Sequence, residues 1–399
     1  MKKILLIFTY FHPDMVVSAR MFSDLAETLA ANGYDVTVYC ANRRHCDFST
    51  IGQEHEVWNG VKIHRFSLPP TRKKGNVSRL LDSRRQQKAY LEAFRQDRFD
   101  AVILGTHPYF GYFMFRAMRK IQPAVKLFLW SFDLQPDGII DNIHCIGKCG
   151  RLLYPFVRRA LCTADRVVDI GSCMRTRLRR YAPDAKYATI TPWALVEPAR
   201  LTPPDPQTRQ DLFGDAALGL LYSGNITFER SIAPFVALAR RCREAGMKVA
   251  FCFAGGGHFF DEQVRMITPE DRNITVRGYV PEDQLEKRLN AADFHLLTFT
   301  GNPPGRSVPS KFFASLAVGK PLLISTQPSC CLAGWVNEFQ LGMNLNPEDP
   351  EPVLDYLRGL LANPAELSGL KQHAYEIYHA EFSRARMTGK WLRLLKEIL

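Results

Sequence analysis

Along the chain, short runs of β-branched and other apolar residues alternate with stretches whose apolar positions recur every three or four residues. That alternation predicts parallel strands joined by crossover helices. Ile4–Phe8 reads as a first strand. Ser18 is expected to cap a helix carrying Met21, Phe22, Leu25 and Leu29 on one face, Gly33 to end it, and Asp35–Cys40 to form a second strand. Further strands are expected at Ala101–Gly105, Val125–Trp130, Arg166–Ile170 and Lys186–Thr191. Pro203, Pro204, Asp205 and Pro206 then suggest an extended linker. A second series follows: Leu218–Ser223, a helix at Ser231–Ala245, then strands at Lys248–Ala254, Ile274–Gly278, Phe294–Phe299 and Pro321–Ser325. The expected fold class is α/β, with two doubly wound Rossmann-like domains at 1–197 and 210–383. In 384–399, Met387, Trp391, Leu394, Leu395 and Ile398 share one helical face, so this closing helix must dock on an apolar surface.

A chain of 399 residues suits two such domains. Its 46% hydrophobic content excludes a disordered chain. No apolar run reaches the roughly 18 residues of a membrane span. Lys2 and Lys3 before Ile4–Phe8 imitate a leader, but Thr9, Tyr10, His12 and Pro13 follow, so a cytoplasmic location is expected. The ten cysteines lack framework spacing and read as reduced thiols. His144, Cys145 and Cys149 lack a fourth ligand at zinc-site spacing. The formal charge of +12 is uneven: residues 1–195 hold 30 Lys and Arg against 17 Asp and Glu, and the remainder hold 22 against 23. The density peaks between Arg72 and Arg95, where Arg79, Arg84, Arg85 and Lys88 are interleaved with leucines. This segment is either a surface for an anionic membrane or a solvated basic helix.

The motifs of P-loop proteins, complete dinucleotide folds, serine hydrolases and zincins are absent, as is the D-x-D pair that holds a divalent cation in many sugar-nucleotide enzymes. Three places suit an anion instead. Gly224 and Asn225 follow a strand and precede a helix, with Arg230 close behind; a plain strand-to-helix turn is the alternative. Gly255 and Gly256 open a glycine run that lets a ligand approach the backbone. In Ser307-Val-Pro-Ser-Lys311, Pro309 suits a first helical turn, Ser307 or Ser310 is a candidate cap, and Lys311 opposes the helix dipole. Such a lysine suggests phosphate binding, with a solvated lysine as the alternative.

In order and spacing these segments resemble the retaining glycosyltransferases of family 4, with the GT-B fold, and in particular bacterial members of the exopolysaccharide and O-antigen type. The resemblance rests on Phe8-Thr-Tyr-Phe-His-Pro13 with Ser18-Ala-Arg20, on Asp133-Leu-Gln-Pro136, and on Ala164-Asp-Arg-Val-Val168 with Met174 and Arg175. It continues through Tyr222-Ser-Gly-Asn225, Phe253–Gly257, Gly278-Tyr-Val-Pro281, and Val308-Pro-Ser-Lys311 followed by Ala317-Val-Gly-Lys-Pro321. The resemblance implies domains facing each other across a cleft, with the last helix returning to the first domain. By the same resemblance Arg230 and Lys311 hold the donor diphosphate, and Asp133 serves beside them at the reacting sugar. Gly224, Asn225, Gly255, Gly256, Tyr279, Val280, Arg306, Pro309 and Ser310 line the donor site, and Ser18, Arg20 and His107 face the acceptor. It implies no metal and no cofactor beyond the nucleotide-sugar co-substrate. The implied partners are that donor and a glycan or polyprenyl-diphosphate-linked acceptor; the basic N-terminal half adds an anionic membrane surface as an expected partner, and no nucleic acid is expected.

Two departures from the family stand out. Its paired glutamates fall at Arg306 and Ala314, and its histidine before the Asp is Phe132, with Val16-Val17 in place of a glycine pair. The expected activity is therefore metal-independent, retaining sugar transfer to a cell-envelope glycan. A non-catalytic relative of the same fold is the rival, and a sugar-nucleotide 2-epimerase ranks lower because neither position supplies an acid/base carboxylate. Nucleic-acid binding, suggested by the basic pI, has no recognisable module behind it.

Overall fold

The computed structural model describes the chain except residues 15, 46, 68–75, 107–110, 135–153, 227–229 and 300–304, and the side chains of 76–80, 111–112, 154 and 156. His107, the basic residues 72–74, Gln135 and Pro136, and the group His144, Cys145 and Cys149 lie outside the described residues. The described chain divides into two compact units: Met1–Pro192 with Gly305–Val308 and Met387–Leu399, and Trp193–Pro304 with Pro309–Arg386.

The first unit holds an eight-stranded sheet, built from β1 (Lys3–Ile7), β2 (Asp35–Ala41), β3 (His55–Trp58), β4 (Val61–Phe66), β5 (Ala101–Gly105), β6 (Lys126–Trp130), β7 (Arg166–Asp169) and β8 (Tyr187–Thr189). The strand order is β3-β4-β2-β1-β5-β6-β7-β8, parallel except for the edge strand β3. β3 and β4 form a hairpin that sequence patterning did not anticipate. Its turn is Asn59-Gly60, both with positive φ (47° and 79°), a pair that suits the tight turn joining two antiparallel strands.

The first helix spans Val17–Ala31, so Ser18 lies inside it and does not cap it. Asp14 organises that entry instead, accepting the Val16 N–H at 3.1 Å and the His45 N–H at 2.5 Å. A short acidic side chain two residues upstream can hold a loop that a serine within the helix cannot reach.

The closing helix Arg384–Ile398 buries Met387, Trp391, Leu394 and Leu395, and Met387–Leu399 belong to the first unit. The Trp391 ring lies 5.0 Å from Trp130 and 6.3 Å from Phe128, and the Met387 sulfur accepts from the Thr191 hydroxyl at 3.2 Å. Gly305–Val308 join the same unit through backbone contact: the Leu134 N–H donates to the Arg306 carbonyl at 3.0 Å, and a Cβ at Gly305 would lie 2.3 Å from the Cys173 carbonyl oxygen.

The second unit holds six parallel strands in the order β11-β10-β9-β12-β13-β14, namely β9 (Leu218–Ser223), β10 (Val249–Ala254), β11 (Ile274–Arg277), β12 (Phe294–Phe299), β13 (Leu322–Thr326) and β14 (Gly342–Asn344). Both faces are covered, which is why the strands read as unbroken apolar runs rather than alternating ones. Leu220, Tyr222, Phe251 and Phe253 pack with Phe235 and Leu357 on one face, and Leu221, Cys252 and Ala254 pack with Phe213 and Val318 on the other.

The stretch expected to be a linker runs directly into a helix, Pro206–Phe213. Asp205 caps it by accepting the Thr208 N–H at 2.8 Å, and Pro206 occupies the first turn. A proline there costs no hydrogen bond, since the first-turn N–H groups have no partner inside the helix.

Candidate functional site

In the second sheet the chain runs outward from β9 in both directions, to β10 and β11 on one side and β12 onwards on the other. In open parallel sheets such a reversal leaves a crevice outside the carboxyl ends of the strands, and ligands bind there. The segments leaving β9, β10, β11 and β12 supply the donor-side residues singled out above.

Gly224 ends β9 with φ +114°, a conformation open to glycine, and a Cβ there would lie 2.7 Å from Lys311 Cε. A side chain there would push the lysine away from the strand end. Lys311, the first residue of the helix Lys311–Ala317, places its ammonium 4.1 Å from the centre of the Tyr222 ring and 3.3 Å from the Asn225 carbonyl oxygen. The Tyr222 hydroxyl donates to that same carbonyl at 3.0 Å. Ser310 precedes the helix without a side-chain capping bond, so the capping expected of this serine is not observed.

Arg230 is held by its backbone: Gln263 donates to the Arg230 carbonyl at 2.8 Å and accepts the Ile232 N–H at 2.8 Å. Its Nε is buried without a hydrogen-bond partner among the described residues. Burial pushes the Lys311 ammonium well below its ordinary pKa, and the positive charge of Arg230 adds to the effect. Burial raises the Tyr222 phenol to about 12, with the Arg230 charge opposing that rise. Among the described residues neither Arg230 nor Lys311 forms an ion pair. Two half-buried cations that repel each other are stabilised by an anion that neutralises both.

The floor beside them is backbone. A Cβ at Gly255 would meet the Gly224 carbonyl oxygen at 2.6 Å, and one at Gly256 would meet the Tyr279 ring at 2.7 Å. The Tyr279 ring therefore lies against Gly256, with its hydroxyl bonded to the Gly256 carbonyl at 3.0 Å and to Asn225 Oδ1. It is 60% exposed, so the anchored hydroxyl presents an aromatic face to solvent. Val280 follows it, half-buried, and Pro309 is buried ahead of the half-buried Ser310.

The structure thus brings together Gly224, Asn225, Arg230, Gly255, Gly256, Tyr279 and Lys311 within one unit. Tyr222 and Gln263 belong with them and were not singled out as site residues. Tyr222 stood in a quoted motif, whereas Gln263 lies 33 residues from Arg230 with nothing in its spacing to mark it.

Asp133, Ser18 and Arg20 lie in the first unit, Asp133 exposed after β6 and the other two half-buried in the first helix. Arg306 is grouped with the first unit, where its carbonyl accepts the Leu134 N–H at 3.0 Å. Phe132, where the resembled family has histidine, packs its ring 4.5 Å from Trp130 and 5.9 Å from Phe22.

Residues 18–193 match the glycosyl transferase 4-like domain. Over 264 residues the chain is 25% identical to a probable glycosyltransferase, WbjE, of Pseudomonas aeruginosa, a match spanning 64% of each chain and so less than two thirds of WbjE. Over 395 residues it is 22% identical to WcaI of Escherichia coli K12, described as a putative colanic acid biosynthesis glycosyl transferase, covering 93% of this chain and 95% of WcaI. Among solved structures, the sucrose-phosphate synthase of Thermosynechococcus elongatus superimposes with a TM-score of 0.75 at 16% identity, over 100% of this chain and 99% of that one. The fold is therefore GT-B, and the chain is similar in sequence to a probable glycosyltransferase and to a protein named for colanic acid biosynthesis.

Proposed function

We propose that the protein transfers a sugar from a nucleotide-diphosphate sugar, UDP-linked in the simplest reading, to a lipid-linked or growing cell-envelope glycan, with retention of configuration. The observation that carries this reading is the pair Arg230 and Lys311, both half-buried, mutually repelling and without a carboxylate partner among the described residues, beside the glycine-lined strand ends.

A diphosphate supplies the missing charge. Its negative charge grows as the glycosidic C–O bond breaks, so fixed cations stabilise the transition state more than the ground state. No D-x-D pair stands beside them, and the two side chains take the place of a cation-borne charge. The acceptor hydroxyl attacks the same face that the diphosphate leaves; its proton passes to the departing phosphate oxygen, and the new C–O bond forms there. No enzyme nucleophile is needed. Tyr279, with its anchored hydroxyl and open face, suits stacking against the base.

A specific observation keeps donor binding without transfer as the second reading. Ala314 packs against the apolar cluster around Leu221 and Val318, and Arg306 lies with the first unit, so the positions of the family's two glutamates present no carboxylate. A transfer assay with UDP-, GDP- and ADP-sugars and a polyprenyl-diphosphate glycan, alongside thermal shifts with each donor, separates the two. Stabilisation by a donor with product formation is expected, since a ligand bound only by the folded state raises the melting temperature. Stabilisation without product favours the second reading, and no response to any nucleotide removes both.

A further inference from the structure

The helix Asn76–Gln96 in the first unit presents two distinct faces. Ser83, Gln86, Tyr90 and Phe94 point inward; Tyr90 packs 4.9 Å from Phe66 and takes a hydrogen bond from Gln86 at 2.6 Å. The outward face carries Leu81, Arg84, Arg85, Lys88, Leu91 and Arg95 at helical spacing, lining an open recess of about 510 Å³. Leu81 is 47% exposed there.

A solvated basic helix ordinarily matches its cations with acids one turn away. Here Asp82 stands 3.9 Å from Arg85 and Glu92 3.8 Å from Lys88, while among the described residues Arg84 and Arg95 have no ion pair. The face therefore combines surplus positive charge with an exposed leucine, Leu81, and a half-buried one, Leu91, on the same recess. Cations alone suit any polyanion. Leucines set among them suit the boundary between lipid headgroups and acyl chains, where both contributions act at once.

From this juxtaposition we propose that the outward face of residues 81–95 seats the protein on an anionic lipid surface. The seat is separate from the donor-side residues, so it stands or falls independently of the transfer reaction.

Co-sedimentation of the full chain with vesicles of phosphatidylcholine, alone or mixed with phosphatidylglycerol, tests it. Binding to the mixed vesicles only is expected at low salt. The variant R84Q/R85Q/K88Q should bind them roughly a hundredfold more weakly, each lost charge near the surface counting for about tenfold or less. L81Q/L91Q should lose the part of binding that survives high salt, and R179Q/R180Q, elsewhere on the first unit, should bind as the parent does. Equal binding by R84Q/R85Q/K88Q overturns the proposal. So does duplex RNA binding as tightly as vesicles with L81Q/L91Q unaffected, which would mark a nucleic-acid face. Hydrogen exchange on the unsubstituted protein covers the case of a variant that does not fold: slowed exchange over 81–95 on adding anionic vesicles supports the seat, and slowing confined to other segments overturns it.

Discussion

At the residue scale, the proposed transfer rests on Arg230 and Lys311, both half-buried. On that proposal, partial exclusion of water strengthens their pull on a leaving diphosphate, because less solvent screens the charges. Substituting Lys311→Ala or Arg230→Ala should lower transfer by about a hundredfold or more, and abolish the thermal shift given by donor, with the circular dichroism spectrum unchanged. Gly224→Ala should act similarly, because its methyl group would displace the Lys311 side chain and strain the φ +114° backbone. A second expectation concerns protons. Burial and Arg230 hold Lys311 below its ordinary pKa, whereas a bound diphosphate raises it again. Donor binding should take up protons, and affinity should fall as pH rises through the depressed pKa of the free protein. Calorimetry in two buffers of different ionisation enthalpy reads that uptake directly. No uptake, with affinity flat across mildly alkaline pH, would mean that Lys311 does not face the phosphates.

At the element scale, the closing helix shows how a one-sided apolar stripe finds its partner. Trp391 is fully buried against Trp130 and Phe128, so Trp391→Ala removes a large ring from a packed contact. A loss of about 3–5 kcal/mol is expected in urea unfolding of the first unit. The stripe itself was legible from Met387, Trp391, Leu394 and Leu395, because helical spacing is a local property of the chain. Its partner was not, because Trp130 and Phe128 lie more than 250 residues away and only packing pairs them. The elements that differ from the expected pattern have local explanations too. Asn59-Gly60 is a pair suited to a tight hairpin turn, and Asp205-Pro206 is a helix cap and first turn as readily as a linker.

At the scale of the whole molecule, a buried charge cluster sets how stability responds to pH. Lys320 is 4% exposed, and burial lowers its pKa to about 7, with Lys371 and Arg209 adding to the shift and Asp293 opposing it. Asp293 is itself paired with Lys371 at 2.6 Å and with Arg209 at 2.8 Å, so little of its charge is left for Lys320. Between about 7 and the ordinary lysine value of 10.5 the unfolded chain binds more protons at this site than the folded one. Stability contributed by the site therefore rises with pH across that window, and the cost of burying a protonated lysine is fully felt below it. Lys320→Met should raise the melting temperature near neutral pH, with the gain shrinking towards pH 10.5. A melting temperature equal to the parent's at neutral pH would show that the ammonium finds its own compensation.

The order of strands and helices was readable from the chain because hydrophobic periodicity and turn residues act over a few positions. For the same reason the glycine turns at 224 and 255–256 and the cation at 311 could be picked out as candidates beforehand. What the chain alone did not contain was which of them would meet. Arg230 and Lys311 are 81 residues apart, and they become neighbours because the second sheet reverses its strand order between β9 and β12. Arg306, five residues before Lys311, goes with the first unit instead, where Gly305 fits against the Cys173 carbonyl. Local patterning sets each element through short-range sterics and solvation. The grouping of charges is decided by long-range packing, because a cation's pKa and partners depend on which distant atoms exclude water from it.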